Sequence, residues 1–232
     1  MKVVNLFMVA SLVTSVCGIA LAQESDQKPQ TEWTFDTNEP GKTPTGWRVA
    51  ETKSSGKSGA WTVVADDGAP SKPNVVKLNT QADDSTFNLL VAEKAVFKDL
   101  DIRARVKAIS GEVDQGGGLM WRVKDENNYY ICRINPLEGN FRVYKVVDGK
   151  RTQLHSEKLE TKTGQWYEIR AVMTGDHMEC FVDGKPYLHV HDDTFEEAGM
   201  IGLWTKADAS SAFDDVAVYA PPVQEATESN EE

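Results

Sequence analysis

The chain has 232 residues, 36 of them acidic against 25 basic, for a net charge of −11. So acidic a protein argues against a nucleic-acid partner, because such partners are held largely by lysine and arginine on phosphate. Beyond residue 22 no stretch is long and apolar enough to span a membrane, so the chain reads as a folded domain without a membrane span.

Residues 1–22 read as a secretory signal: Lys2, an apolar run through Leu12 and Val16, then Ala20-Leu21-Ala22 before Gln23. This predicts a secreted or periplasmic protein. Cys17 would suit a lipoprotein signal only with a small residue before it, and Val16 is bulky. Residues 23–31 are polar and read as a flexible linker. Residues 32–220 form one β domain, and residues 221–232 an acidic disordered tail after Pro221-Pro222.

A first strand begins at Trp33, and a long loop runs from Asp36 to Trp47. Short strands follow at 61–64, 75–78 and 87–91. From Asp101 to Ala108 the chain alternates, with Ile102, Ala104 and Val106 on one face and Arg103, Arg105 and Lys107 on the other. The triple glycine Gly116-Gly117-Gly118 is a structural turn. It is not a phosphate loop, because no Gly-Lys-Ser/Thr follows and no helical pattern begins.

The stretch 116–155 predicts four antiparallel strands. Asp148-Gly149 is a two-residue hairpin signal that sets Val147 opposite Lys150, Tyr144 opposite Gln153 and Arg142 opposite His155. Asp125 to Asn128 reads as a four-residue loop, placing Arg122 opposite Ile131, and Arg133 falls opposite Arg142. Side-chain parity then puts Leu119, Trp121, Val123, Tyr130, Cys132, Ile134, Phe141, Val143 and Leu154 in a core. The other face carries Arg122, Tyr129, Arg133, Arg142, Tyr144, Arg151 and His155. Guanidinium groups give planar, multidentate donors and tyrosine an amphipathic ring, so this face suits a polar ligand. A plain solvated face, its arginines paired with Glu168 or Glu179, is the alternative.

Residues 165–173 alternate again, with Glu168 and Arg170 outward and Tyr167 and Ile169 inward. After Asp183-Gly184, a bulged turn keeps Leu188 and Val190 inside and turns His189 and His191 outward. Two histidines at alternate positions suggest a metal, but no third ligand is evident. The last strands are 199–205 and 213–219. Cys132 and Cys180 both fall on core faces, and a disulfide and two buried thiols are both compatible with the sequence. No helical period is sustained, so the fold class is all-β, a two-sheet antiparallel sandwich.

Gly118-Leu119-Met120-Trp121-Arg122-Val123, Asn128-Tyr129-Tyr130, Arg133-Ile134-Asn135-Pro136, Val182-Asp183-Gly184-Lys185, Gly202-Leu203-Trp204 and Phe213-Asp214-Asp215-Val216 together resemble a laminin-G-like, concanavalin-A-like jelly-roll domain of secreted bacterial proteins. The chain is similar to the group related to the 3-keto-disaccharide hydrolase domain. The resemblance spans Trp33 to Tyr219 and implies a sandwich with one concave sheet on which glycans bind. It also implies a structural calcium, for which Asp36 and Asp214 offer oxygen ligands. The expected ligand-binding residues are Arg103, Arg105, Arg122, Tyr129, Arg133, Arg142, Tyr144, His155, Glu168 and Arg170, facing a carbohydrate or other polar polymer, with an anionic sugar favoured. Three readings follow. One is a non-catalytic glycan-binding module. The second is a glycoside hydrolase acting on 3-keto or related sugars, with His155 as its acid or base and Glu168 and Glu179 as a carboxylate pair. The third is a structural module of the cell envelope.

Overall fold

The computed structural model describes residues 27–54, 56 and 59–222. The segments read as a signal (residues 1–22) and as most of the acidic tail therefore lie outside the described residues. Fifteen strands are described and no helix among them, so none is long and apolar enough to cross a membrane.

The strands are β1 (Thr31–Trp33), β2 (Trp47–Thr52), β3 (Ala60–Ala65), β4 (Asn74–Asn79), β5 (Phe87–Phe97), β6 (Leu100–Ser110), β7 (Gly117–Asp125) and β8 (Asn128–Asn135). They continue with β9 (Asn140–Val147), β10 (Lys150–Lys158), β11 (Trp166–Thr174), β12 (His177–Val182), β13 (Lys185–His191), β14 (Gly199–Lys206) and β15 (Ser210–Tyr219). One sheet has eight strands in the order β13-β12-β11-β6-β15-β4-β3, with β1 added on β15. The other has seven, in the order β10-β9-β8-β7-β14-β5-β2. All strand pairings are antiparallel, and the two sheets form the expected jelly-roll sandwich. The sequence reading missed β2, taking Trp47 as the end of a loop.

The main core lies between the sheets. Trp121, Tyr130, Cys132, Ile134 and Phe141 of the seven-stranded sheet meet Ile102, Val106, Ile169, Cys180 and Phe213 of the eight-stranded one. Alternation fills this layer because every second residue points the same way. A second buried cluster lies on the opposite face of the seven-stranded sheet: Phe87, Leu89, Val91, Met120, Val123, Tyr129, Ile131, Tyr144, Val146 and Trp204. This sheet is apolar on both sides, so its strands read as nearly continuous hydrophobic runs. Cys132 and Cys180 are buried free thiols facing each other across the core. The hydrogen bond with Cys132, aided by burial, pushes the Cys180 thiol up.

One of the hairpin turns holds as its residues imply, and two are tighter than expected. Asp148-Gly149 closes Val147 on Lys150, with both turn residues at positive φ (49° and 73°), the geometry of a primed two-residue turn. Asp183-Gly184 closes Val182 on Lys185 in the same two-residue way, not in the longer bulged turn expected. The bulge expected there falls further along, between Cys180 and Phe181, where the pairing jumps from Pro186 to Leu188. Leu188 is buried as expected. The turn after β7 is tighter than expected, with Asp125 paired to Asn128.

Candidate functional site

The outer face of the seven-stranded sheet carries a connected set of guanidinium groups, carboxylates and rings. Arg133 of β8 lies over β7, where Gly118 leaves it room: a Cβ on Gly118 would come 2.7 Å from the Cβ of Arg133 and collide with the carbonyl of Cys132. Arg133 Nη2 donates to Glu138 Oε2 at 3.0 Å and to the Tyr144 hydroxyl at 3.1 Å, and Nη1 donates to Asn140 Oδ1. Arg142 of β9 reaches the same carboxylate oxygen at 2.7 Å and donates from Nε to Ser156 Oγ at 3.0 Å. Arg151 of β10 spreads over the rings of Tyr144, Phe87 and Trp204, 4.5, 5.1 and 5.7 Å from their centroids. The Tyr129 hydroxyl meets Thr52 Oγ1 and the Trp204 indole N–H. Glu138 and Gln153 are exposed, Arg142 and Arg151 half-buried, and Arg133, Tyr129 and Tyr144 buried.

Two donors on this face are buried and have no partner: Arg133 Nε and Arg151 Nη1. Buried polar groups are nearly always bonded, so each such exception calls for an explanation.

Four residues of this site went unnoticed in the sequence: Asp114, Asn135, Glu138 and Asn140. They come from the 111–116 loop and the β8–β9 turn. The loop is held by Asp208, whose carboxylate accepts the backbone N–H groups of Glu112, Val113 and Asp114. Asp114 Oδ1 accepts the Gly116 N–H at 2.8 Å and the Asn135 amide at 3.1 Å. Burial pushes the Asp114 carboxyl up, against the pull of Arg133. Glu138 moves the other way: burial opposes its ionisation, but Arg133, Asn140 and Arg142 outweigh it and hold the carboxyl low. The two carboxyls beside Arg133 are thus shifted in opposite directions.

The other expected binding residues are elsewhere. Arg122 does not share the face of Arg133. Arg122, Val123 and Lys124 span the distance that Tyr129 alone spans on β8, and Arg122 takes a left-handed φ of 46°. This bulge sends Val123 to the outer cluster and Arg122 to the end of the sandwich. There the guanidinium donates to the carbonyls of Lys98 (2.8 Å), Phe195 (2.5 Å) and Gly175 (2.7 Å) and to Asp99 (3.2 Å). It is a buried tie between turns. Its backbone fits only because Gly199 has no side chain: a Cβ there would lie 2.5 Å from the Arg122 carbonyl carbon.

His155 does not lie beside Arg142 either. A bulge at Leu154 shifts the pairing so that His155 opposes Val143, and its Nδ1 lies 3.3 Å from the His189 carbonyl oxygen at the sandwich edge. Arg103, Arg105, Glu168 and Arg170 sit on the outer face of the eight-stranded sheet. Arg103 and Arg170 both clamp buried Asp101, at 3.0 and 2.8 Å, and Arg105 lies 3.6 Å from Glu168. Arg103, Arg105 and Glu168, with Trp33 and Tyr219, line a cleft of about 240 Å³. Glu168 and Glu179 do not approach one another. Glu179 pairs with Val172, four residues along β11 from Glu168, a separation of roughly 13 Å at ordinary strand rise.

Asp36 and Asp214 are turned to protein donors. Asp36 Oδ1 accepts the Asn74 N–H at 3.0 Å, and Asp214 accepts the Ser71 N–H and hydroxyl at 2.9 Å each. Burial lifts the Asp214 carboxyl to about 6. Its visible work is to pin the loop before β4.

The fold recurs in solved structures of low identity. The carbohydrate binding module CBM66 from Bacillus subtilis is 18% identical, with a TM-score of 0.61, covering 76% of this chain and 96% of its own. The cellulose induced protein Cip1 is 13% identical, with a TM-score of 0.62, covering 84% of this chain and 99% of its own. SCLam, a non-specific endo-β-1,3(4)-glucanase of family GH16, is 13% identical, with a TM-score of 0.59, covering 85% of this chain and 92% of its own. No curated protein matches the chain. A family description does match, over residues 31–218, which takes in nearly all of the described sandwich: the chain belongs to the 3-keto-α-glucoside-1,2-lyase-like domain family.

Proposed function

We propose that the chain is a glycan-binding module and that sugar docks on the outer face of the seven-stranded sheet, at Arg133, Glu138, Arg142, Tyr144 and Arg151. The observation that carries this is the exposed Glu138 carboxylate held by half-buried Arg142 and buried Arg133, with half-buried Arg151 beside them over the rings of Tyr144, Trp204 and Phe87. The exposed carboxylate and the half-buried guanidinium groups offer an acceptor and donors to sugar hydroxyls. CBM66 is a carbohydrate binding module, which supports the class of ligand. Three arginines against the ionised Glu138 leave cationic character, and guanidinium matches a carboxylate or sulfate, so acidic sugars are preferred.

The test is a glycan array followed by calorimetry on the best ligand. Arg142→Ala and Glu138→Gln should each weaken binding at least about tenfold, or 1.4 kcal/mol. Arg105→Ala, on the other sheet, should not. Loss on Arg105→Ala with Arg142→Ala intact would move the site to the cleft of the eight-stranded sheet.

The family favours a second reading, in which the same face cleaves 3-keto-α-glucosides. A 3-keto group acidifies the C2–H bond. Glu138 would take that proton, the C–H pair would form the C1–C2 double bond, and the C1–O bond would break as the leaving oxygen gains a proton from water. Turnover of a 3-keto-glucoside that falls in Glu138→Gln would establish this reading. Absence of turnover in the wild type would remove it.

A further inference from the structure

On the eight-stranded sheet, outside the proposed sugar site, three imidazoles share one edge. His177 opens β12 and pairs directly with His191 at the end of β13, and His189 stands two residues earlier on the same face. Their ring centroids lie 4.5, 4.9 and 5.3 Å apart. One nitrogen from each ring can be chosen so that all three lie within 4.8 Å of one another. The sequence has four histidines, and three are gathered here. This is the only such group of ligating side chains among the described residues.

We propose that His177, His189 and His191 bind one divalent transition-metal ion of the zinc class, leaving a coordination position open. Imidazole is a preferred ligand of zinc, copper and nickel, whereas calcium and magnesium take oxygen. A tetrahedral zinc with nitrogens at about 2.0–2.1 Å needs them roughly 3.4 Å apart, so the widest pair must close by about 1.4 Å. His189 and His191 are exposed and can turn about their side-chain bonds to do this. The strands supply the rest: a directly opposed pair and a residue two positions along put three side chains on one side. The Asp176 carboxylate lies 3.2 Å from His191 Nδ1. Bonded there, it leaves Nε2 for the metal, the usual way an outer carboxylate orients a ligating histidine. Three protein nitrogens with a fourth position free for water match the ligand count of reactive zinc sites. The site does not depend on the glycan-binding reading.

The experiment is equilibrium dialysis and calorimetry with Zn²⁺ on the full chain carrying no polyhistidine tag, after stripping with chelator. The expected result is one ion per chain, tighter than about 10 µM, with a rise in melting temperature on saturation. His189→Ala and His191→Ala should each weaken binding at least tenfold, and His155→Ala should leave it unchanged. Circular dichroism of the apo variants checks that the fold survives, as these side chains are on the surface. Binding well below one ion per chain at about 100 µM zinc, or equal binding by the His177/His189/His191 triple alanine variant, would overturn the proposal.

Discussion

Replacing Arg122 by methionine separates the two faces of the sandwich. Methionine keeps most of the apolar stem but removes every donor. It leaves the carbonyl of Phe195 buried without a partner, those of Lys98 and Gly175 partly so, and Asp99 without its ion pair. The Arg122 side chain is 1% exposed, so water cannot easily take its place. Removing one member of a buried charged set costs about 3–5 kcal/mol. For a domain of this size each kcal/mol lowers the melting temperature by about 2–4 °C, so the fall should be roughly 6–20 °C. Thermal and urea melts followed by circular dichroism measure it. Arg122→Lys should recover part of the loss, since an ammonium can reach one or two of the same carbonyls. At a temperature where the variant is folded, its affinity for glycan should equal the wild type's. Wild-type melting in Arg122→Met, or lost binding without lost stability, would refute the assignment of Arg122 as a structural tie.

Other outcomes follow from the same coordinates. Gly118→Ala should cost at least about 2 kcal/mol by forcing Arg133 and the Cys132 carbonyl away, seen as an early melt. Asp214 is raised to about 6 from 3.8, so the folded state holds its proton more tightly than the unfolded chain. Its contribution is favourable at low pH and is lost as pH rises through about 6, worth up to about 3 kcal/mol. Asp214→Asn should therefore gain stability relative to wild type between pH 4 and pH 7, and a gap that stays constant with pH would contradict this. Cys132 and Cys180 should resist alkylation in the folded protein and react on unfolding, as read by mass spectrometry. A structural calcium held by Asp36 and Asp214 would raise the melting temperature in millimolar calcium, and an unchanged melt would remove that expectation.

Parity along the strands was legible because it needs only local alternation. It placed Trp121, Cys132, Phe141 and Ile134 between the sheets and Arg133, Arg142 and Tyr144 together on the other side. The turn residues were legible for the same reason, since Asp-Gly pairs tolerate the positive φ that a tight hairpin needs. The third histidine was within reach too: with Leu188 turned inward, His177 falls opposite His191.

The sequence by itself determined an all-β sandwich, its core face, the Asp148-Gly149 hairpin and its family. Tertiary structure alone decided where the strands slip. The bulges at Arg122, at Leu154 and near Tyr187 answer to distant groups: the carbonyls of Phe195 and Gly175, and the edge where β10 meets β13. Each slip re-aims a side chain that alternation had assigned elsewhere. That is why Arg122 and His155 left the expected site while Asp114 and Glu138, from a loop and a turn with no periodic signal, entered it.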